Sequence, residues 1–394
     1  MRARRGGVCA LLALLTSVSA SAAPTHEVYV WQRQWTPALS TALADSRDDF
    51  TGVRILIAQA GRTSGWSKSA ADPRAFAHDQ RTLTAVIRYD GAGVPPDIAA
   101  LRLLLDETLA RWRRAGASFA AVEIDYDCGS ARLADYAQRL RALRAALPAG
   151  VRLSITALPA WLDAPALDAV LAVVDEAVLQ VHAVQDPAHG LFDAALAERW
   201  IRAFAPHTRN GFRVALPAYG ARVRFGDDGR ALAVESEMKV DAADAGDARE
   251  LGVEPADVVG LLERLAANPP PQWQGVVWFR LPLPGDRRAW TLAALREVIA
   301  QRVPSAQISA IAVTRANGAS DIFVINRGVA DARVKSLVVD GDGCSSGDTA
   351  LGWRAERIAA GWRFTPGAAQ RLPAGVRRAV GWLRCARIES TRIE

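Results

Sequence analysis

Apolar residues recur along the chain in two alternating rhythms. Short β-rich runs at 28–31, 53–58, 83–89, 120–126, 152–157, 177–182, 212–217 and 275–281 are separated by segments whose apolar positions follow a helical period. One such segment puts Leu101, Leu104, Leu105, Thr108 and Trp112 on one face, between a Pro96-Asp97 start and a Gly116 stop. Another repeats the pattern with Leu133, Tyr136, Ala137, Leu140 and Leu147. Eight strand and helix units predict an α/β fold, a (β/α)8 TIM barrel over residues 23–303. A doubly wound sheet is the competing architecture, but no glycine-rich phosphate loop follows any strand.

Residues 221–255 interrupt the alternation after the seventh strand, and the Asp227-Asp228-Gly229 turn predicts a hairpin insertion there. From residue 304 the rhythm changes to short strands at 308–313, 321–326, 334–339 and 378–384, without long helices. Residues 304–394 are therefore expected to form a β-rich, sandwich-like domain. Its Trp353, Trp362 and Trp382 could form a glycan-binding surface, although such residues more often fill a small core.

The first residues read differently. Arg2, Arg4 and Arg5 precede an apolar run at 8–15 and then Ala20-Ser21-Ala22, the pattern of a secretory signal peptide over 1–22. Cys9 lies inside the apolar run, which argues against a lipoprotein anchor. The run is too short to span a bilayer, and no later stretch reaches the roughly 20 apolar residues that a span requires. Export to the periplasm or beyond is expected. An oxidising compartment permits Cys344 and Cys385 to pair and leaves Cys128 as the odd cysteine.

With 394 residues, 50% apolar and 23% charged, the chain is neither disordered nor collagenous nor a disulfide miniprotein. Its net charge of +6 owes three units to the leading arginines. The remaining cations are interspersed with acids, so no nucleic-acid partner is expected. No CxxC or HExxH occurs, and His26, His78, His182, His189 and His207 show no ligand spacing. No metal or cofactor is expected; a metal-assisted hydrolase built on Asp125, Asp127 and His182 is the weaker alternative.

The fourth strand carries the chemistry. In Val122-Glu123-Ile124-Asp125-Tyr126-Asp127-Cys128-Gly129, pleating puts the three carboxylates on one face and Val122, Ile124 and Tyr126 on the other. If the apolar set meets the helices, Glu123, Asp125 and Asp127 turn into the barrel mouth. Spaced roughly 7 Å apart, they can couple so that one retains a proton for general acid work. The plainer reading is that they pair with Arg54, Arg88 or Arg280 and only fill the interior. Other strand ends offer binding groups: Trp31, Gln59, Arg88, Gln180, His182, Tyr219, Trp278 and Arg280. Asp90, ending the third strand, is the nearest second carboxylate.

Glu123-x-Asp125-x-Asp127 resembles the DxDxE strand of the chitinase-like glycoside hydrolases of family eighteen. Leu216-Pro217-Ala218-Tyr219-Gly220 resembles that family's PxYG segment, and Gly275-Val276-Val277-Trp278 its last strand. The resemblance implies Asp127 as acid, Asp125 as the group that orients a substrate acetamido, Tyr219 as support and Trp278 as a sugar platform. It departs in having Asp127 where the family has Glu, one methylene shorter, and Glu123 where the family has Asp. Residues 123–128, Arg132-Leu133-Ala134-Asp135-Tyr136, Leu153-Ser154-Ile155-Thr156-Ala157-Leu158-Pro159 and Gln180-Val181-His182 are more closely similar to an exported bacterial family known as a domain of unknown function (3142 type). Two functions are expected: an exported glycoside hydrolase-like protein acting on a polysaccharide or cell-wall glycan, or a non-catalytic glycan-binding protein on the same barrel. The sequence leaves catalysis, the sugar and the oligomeric state open.

Overall fold

A computed structural model describes residues 24–61, 65–89, 97–182, 190–225, 231–235, 248–286, 288–350, 352–367 and 370–394. The signal segment 1–22, Asp90 and the Asp227-Asp228-Gly229 turn lie outside the described residues.

Eight parallel strands close into a barrel. They are β1 (Thr25–Val30), β2 (Gly52–Ala60), β3 (Thr82–Tyr89), β4 (Ala121–Tyr126), β5 (Arg152–Ala157), β6 (Glu176–Gln180), β7 (Gly211–Pro217) and β8 (Trp273–Phe279). Neighbours pair in sequence order, and β1 bonds to both β2 and β8, so no edge remains. Helices α1 (Pro37–Asp45), α2 (Ile98–Arg114), α3 (Leu133–Ala146), α4 (Leu167–Leu171), α5 (Ala194–Phe204), α6 (Pro255–Ala267) and α7 (Leu292–Ile299) supply the outer layer. Among the described residues, the expected unit between β2 and β3 holds no α-helix. A short strand, Trp66–Lys68, runs antiparallel to β2 there, and a single 3-10 turn, Pro73–Phe76, follows. Pro73 presets that turn, and Phe76 packs on Trp112 in place of a helix face.

Helix faces form where the periodicity put them. Leu101, Leu104, Leu105, Leu109 and Trp112 of α2 are buried, Leu109 rather than Thr108 completing the stripe. In α3, Leu143 is buried where Leu147 was expected, because Leu147 is already the cap residue and extended. Strand residues of the opposite parity to the carboxylates, among them Val122, Ile124 and Tyr126, pack against these helices in one continuous core.

The insertion is larger than a hairpin. Strands Ala221–Phe225, Ala231–Glu235 and Ala248–Leu251 form a three-stranded sheet with Ala221–Phe225 in the centre. Beyond the barrel, Ile308–Thr314, Ser320–Asn326, Arg377–Arg384 and Ser346–Thr349 make one four-stranded antiparallel sheet. Trp353–Ile358, Gly361–Pro366, Leu337–Asp342 and Arg387–Ile393 make the other. Ile322, Val324, Val380 and Leu383 of the first meet Leu337, Val339 and Phe364 of the second in one buried cluster, a sandwich core. The single run expected at 334–339 is two strands, Ala332–Val334 and Leu337–Asp342, in different sheets. Cys344 and Cys385 are joined by a disulfide, and Cys128 is a buried free thiol.

Candidate active site

Alternation along each barrel strand decides which side chains reach the interior. Near the strand starts, Arg54 is 2% exposed and its guanidinium spans Glu27, Glu123 and Glu176. Arg213 adds bonds to Glu27 at 3.1 Å and Glu176 at 2.9 Å. Glu123 also accepts from the Tyr29 hydroxyl at 2.7 Å and from Ser154 Oγ at 2.9 Å. Burial holds the Glu123 carboxyl above its ordinary range, with Arg54 opposing. At Glu176 burial pushes the same way, but Arg54 and Arg213 outweigh it and leave that carboxyl below its ordinary range.

Glu123 is thus removed from the expected mouth triad. It is fully buried, and the Tyr29 ring between it and the opening packs edge-on beneath Trp31 and Phe279. Three carboxylates on one face do not share one environment, because each successive inward position lies roughly 7 Å farther along a closed tube. All three carboxylates meet an arginine that the plain reading named, Glu123 meeting Arg54 and both aspartates meeting Arg88.

Two inward positions remain near the opening. Asp125 is 1% exposed and accepts from Arg88 Nη1 at 2.6 Å, Thr156 Oγ1 at 2.7 Å and Gln180 Nε2 at 3.3 Å. Asp127, one residue past the end of β4, is 23% exposed and meets Arg88 Nη2 at 3.3 Å. Arg88 is held from its other side by Trp31, whose ring centroid lies 5.6 Å from the guanidinium carbon. Parallel register produces the set: Gln59, Arg88 and Asp125 are consecutive partners across β2, β3 and β4. Gln59 is half-buried at the same end.

An aromatic wall stands across from the carboxylates. Phe279 is in ring contact with Trp31 at 5.2 Å, Tyr219 at 5.2 Å and His182 at 5.5 Å, the last nearly parallel. His182 Nδ1 lies 3.5 Å from the Tyr219 hydroxyl, and its buried Nε2 has no hydrogen-bond partner among the described residues. Burial pushes the His182 imidazole down to about 4, so the ring is neutral at physiological pH, and burial raises the Tyr219 hydroxyl. A neutral imidazole can donate from one nitrogen and accept at the other.

Trp278 does not join this wall. It has the opposite parity to Val277 and Phe279, is fully buried among the helices, and donates Nε1–H to His26 Nδ1 at 3.2 Å while stacking on that ring. Phe279 occupies the inward position the sequence reading gave to Trp278. Arg280 is buried too, and is paired with Asp286 at 2.6 Å. Sequence reasoning missed Phe279, Thr156 and Tyr29. Each would have followed from extending the parity argument from β4 to β8, β5 and β1. Of the tryptophans in the sandwich, Trp353 is buried, Trp362 packs at the edge of the core and Trp382 is exposed.

Among the described residues no group of three or more His, Cys, Asp or Glu side chains is placed to hold a metal, and His182 faces Phe279 and Tyr219 rather than the two aspartates. No described helix is long and apolar enough to cross a membrane.

Comparison with known proteins follows the same division of the chain. Residues 309–386 match a second family, "Domain of unknown function (DUF8456)". A search of curated proteins finds no match. The spore cortex-lytic enzyme SleL of Bacillus cereus superposes with a TM-score of 0.51 at 12% identity, over 71% of this chain and 74% of that one. SleL of Bacillus megaterium QM B1551 gives 0.51 at 10% identity over the same shares. A family GH18 chitinase from Chromobacterium violaceum gives 0.45 at 10% identity, over 91% of this chain and 88% of that one. At such identities the likeness to the two SleL enzymes shows the barrel fold alone. Residues 79–284, more than half of the sequence, match the family described as "Domain of unknown function (DUF3142)", and the chain belongs to that family.

Proposed function

We propose that this protein is an exported glycoside hydrolase-like protein that takes a polysaccharide or cell-wall glycan into the barrel mouth and cleaves it with acid assistance from Asp127. The observation that carries this reading is the unequal setting of two carboxylates on one strand. Asp125 is enclosed by three donors, whereas Asp127 stands partly exposed at the C-terminal end of the barrel, where reacting groups of such barrels gather.

In this scheme Asp127 gives its proton to the glycosidic oxygen as the bond to the anomeric carbon breaks; water, directly or after the substrate's own acetamido oxygen, then bonds to that carbon and returns a proton to Asp127. Asp125 has three of about four acceptor positions filled, which leaves one for a substrate N–H such as that of an acetamido group. Phe279, with Trp31 beside it, offers the flat apolar face against which a pyranose ring can lie. Tyr219 and His182 continue the same wall, and His182 Nε2, without a partner among the described residues, can meet a sugar hydroxyl. Arg88 bonds more closely to Asp125 than to Asp127, so its second arm can leave Asp127 for the substrate without breaking the shorter bond.

Arg88 also favours the second reading, a glycan-binding protein without cleavage. The Arg88 guanidinium already occupies the Asp127 carboxylate, and the shorter aspartate must draw the sugar deeper. One pair of measurements separates the two. Asp127→Asn is expected to abolish the release of reducing ends from peptidoglycan or chitin oligomers while calorimetric binding persists. Saturable binding by the wild type with no product after long incubation would replace cleavage by binding, and unaltered product release by the variant would remove Asp127 as the acid. Export rests on the 1–22 pattern and agrees with a disulfide in the mature chain; the protein in the periplasmic or extracellular fraction, starting after Ala22, is the expected result.

A further inference from the structure

The barrel and the sandwich differ in charge. Residues 304–394 hold 13 Arg and Lys against eight Asp and Glu, while residues 23–303 hold 32 against 34. The two sheets of the sandwich also treat their cations differently. On the sheet that contains Gly361–Pro366, Arg363 is bound by Glu356 at 2.8 Å and Glu394 at 2.9 Å, Arg392 is paired with Asp340, and Arg387 with Glu389 at 2.6 Å. Three arginines of that sheet are thus neutralised, whereas Arg354 and Arg357 are exposed and have no carboxylate partner among the described residues.

The other sheet presents its arginines beside exposed aromatic rings. Along Ser320–Asn326, burial alternates residue by residue and turns Asp321, Phe323 and Ile325 outward. Antiparallel register sets Trp382, Ala379 and Arg377 opposite them. Trp382 is 38% exposed, and Val313, on the neighbouring strand, is 42% exposed. The Arg377 guanidinium lies over the Phe323 ring, 3.5 Å from its centroid. Arg327 donates to Ser309 Oγ at 2.5 Å and Arg384 to the Asn317 carbonyl at 2.7 Å. Among the described residues none of these three arginines is paired with a carboxylate, whereas Asp321 is held by Arg315 at 2.6 Å. Asp348, opposite Trp382 in the register, adds an acceptor at that end. From the Asp321–Trp382 pair to Arg327 is about 20 Å along the strand.

We propose that this sheet face is a second glycan-binding surface, specific for a polysaccharide strand that carries carboxylates. The flat ring of Trp382 accepts the C–H face of a pyranose, while Phe323 holds Arg377 on its own face, and the guanidinium groups of Arg327, Arg377 and Arg384 bind the anionic substituents. A neutral glycan would leave those cations without a purpose. A nucleic acid suits the same groups, but the disulfide between Cys344 and Cys385 places this domain in an oxidising compartment. The surface lies outside the barrel and binds whether or not the barrel cleaves.

Electrophoresis of the full-length protein through gels containing polygalacturonate, neutral dextran or no polymer tests the assignment. Retardation by polygalacturonate alone is expected, with the apparent affinity about tenfold weaker for Trp382→Ala and for Arg377→Gln, and unaltered for Asp127→Asn. Arg377→Gln changes an exposed residue, so it remains informative if Trp382→Ala fails to fold, which thermal unfolding would reveal. The proposal is overturned by equal mobility in all gels, by equal retardation in dextran, or by both sandwich variants migrating as the wild type does. Displacement by single-stranded DNA at lower concentration than by polygalacturonate oligomers would reassign the surface to nucleic acid.

Discussion

His182 shows how one buried side chain couples the site to the stability of the whole. Burial lowers its pKa to about 4, against about 6.5 for an exposed histidine. Between those values the unfolded chain binds a proton that the folded chain does not. The contribution is therefore complete above pH 6.5 and is lost as the pH falls toward 4. By pH 4.5 the difference amounts to about 2–3 kcal/mol. Urea unfolding at pH 7.5 and pH 4.5 is expected to show a smaller acid loss for His182→Gln than for the wild type. The comparison between proteins is the measure, because Glu123 and Glu176 carry shifts of their own, of opposite sign. Equal losses would show that His182 is protonated in the folded chain. At this scale the sequence displayed the site only in part. Parity alone places Asp125 and Asp127 inward, but it places Glu123 there as well. What distinguishes them is Arg54, 69 positions away in sequence, which no local pattern connects to Glu123.

Strands and helices were the most legible elements. All eight barrel strands lie where the β-rich runs predicted them, since a strand covered on both faces must be written as a short apolar run bounded by turns. Other elements escaped, Ser346–Thr349, Gly361–Pro366 and Arg387–Ile393 of the sandwich among them. The connection between β2 and β3 was read as a helix by analogy with its neighbours, yet Pro73 and Phe76 complete the layer in one turn. Strand Trp353–Ile358 buries only Trp353 and exposes arginines and a glutamate, so it carries no period-2 signal. Closure of the barrel depends on Gly275. Its φ of 149° is one that side chains with a Cβ rarely adopt, and an added Cβ would overlap the Thr25 carbonyl of the paired strand. Gly275→Ala is expected to destabilise the barrel by about 3 kcal/mol or more. A chemical denaturation midpoint within error of the wild type would show that β1 and β8 can separate there without loss.

The whole molecule comprises two cores that the chain builds in succession. The barrel core and the sandwich core are separate clusters, and the Thr291 hydroxyl donating to the Val329 carbonyl at 3.1 Å is one of the bonds between the two parts. The disulfide closes 41 positions of the sandwich, for which chain entropy gives about 4 kcal/mol. Cys385→Ser is therefore expected to lower the sandwich transition in calorimetry and to leave a second, barrel transition in place. A single transition shifted as one would mean that the two parts unfold together.

The sequence by itself determined the class of fold, the order of the strands, the division near residue 304 and the strand that bears the carboxylates. Each of these is a property of neighbours in the chain, expressed through pleat, helical period and turn residues. Tertiary structure alone decided which carboxylate reaches the mouth, that Phe279 rather than Trp278 faces inward, and that Arg88 stands between Asp125 and Asp127. The physical reason is that the shear and closure of the barrel set the height and partners of every inward side chain, and those are fixed by residues far apart in sequence.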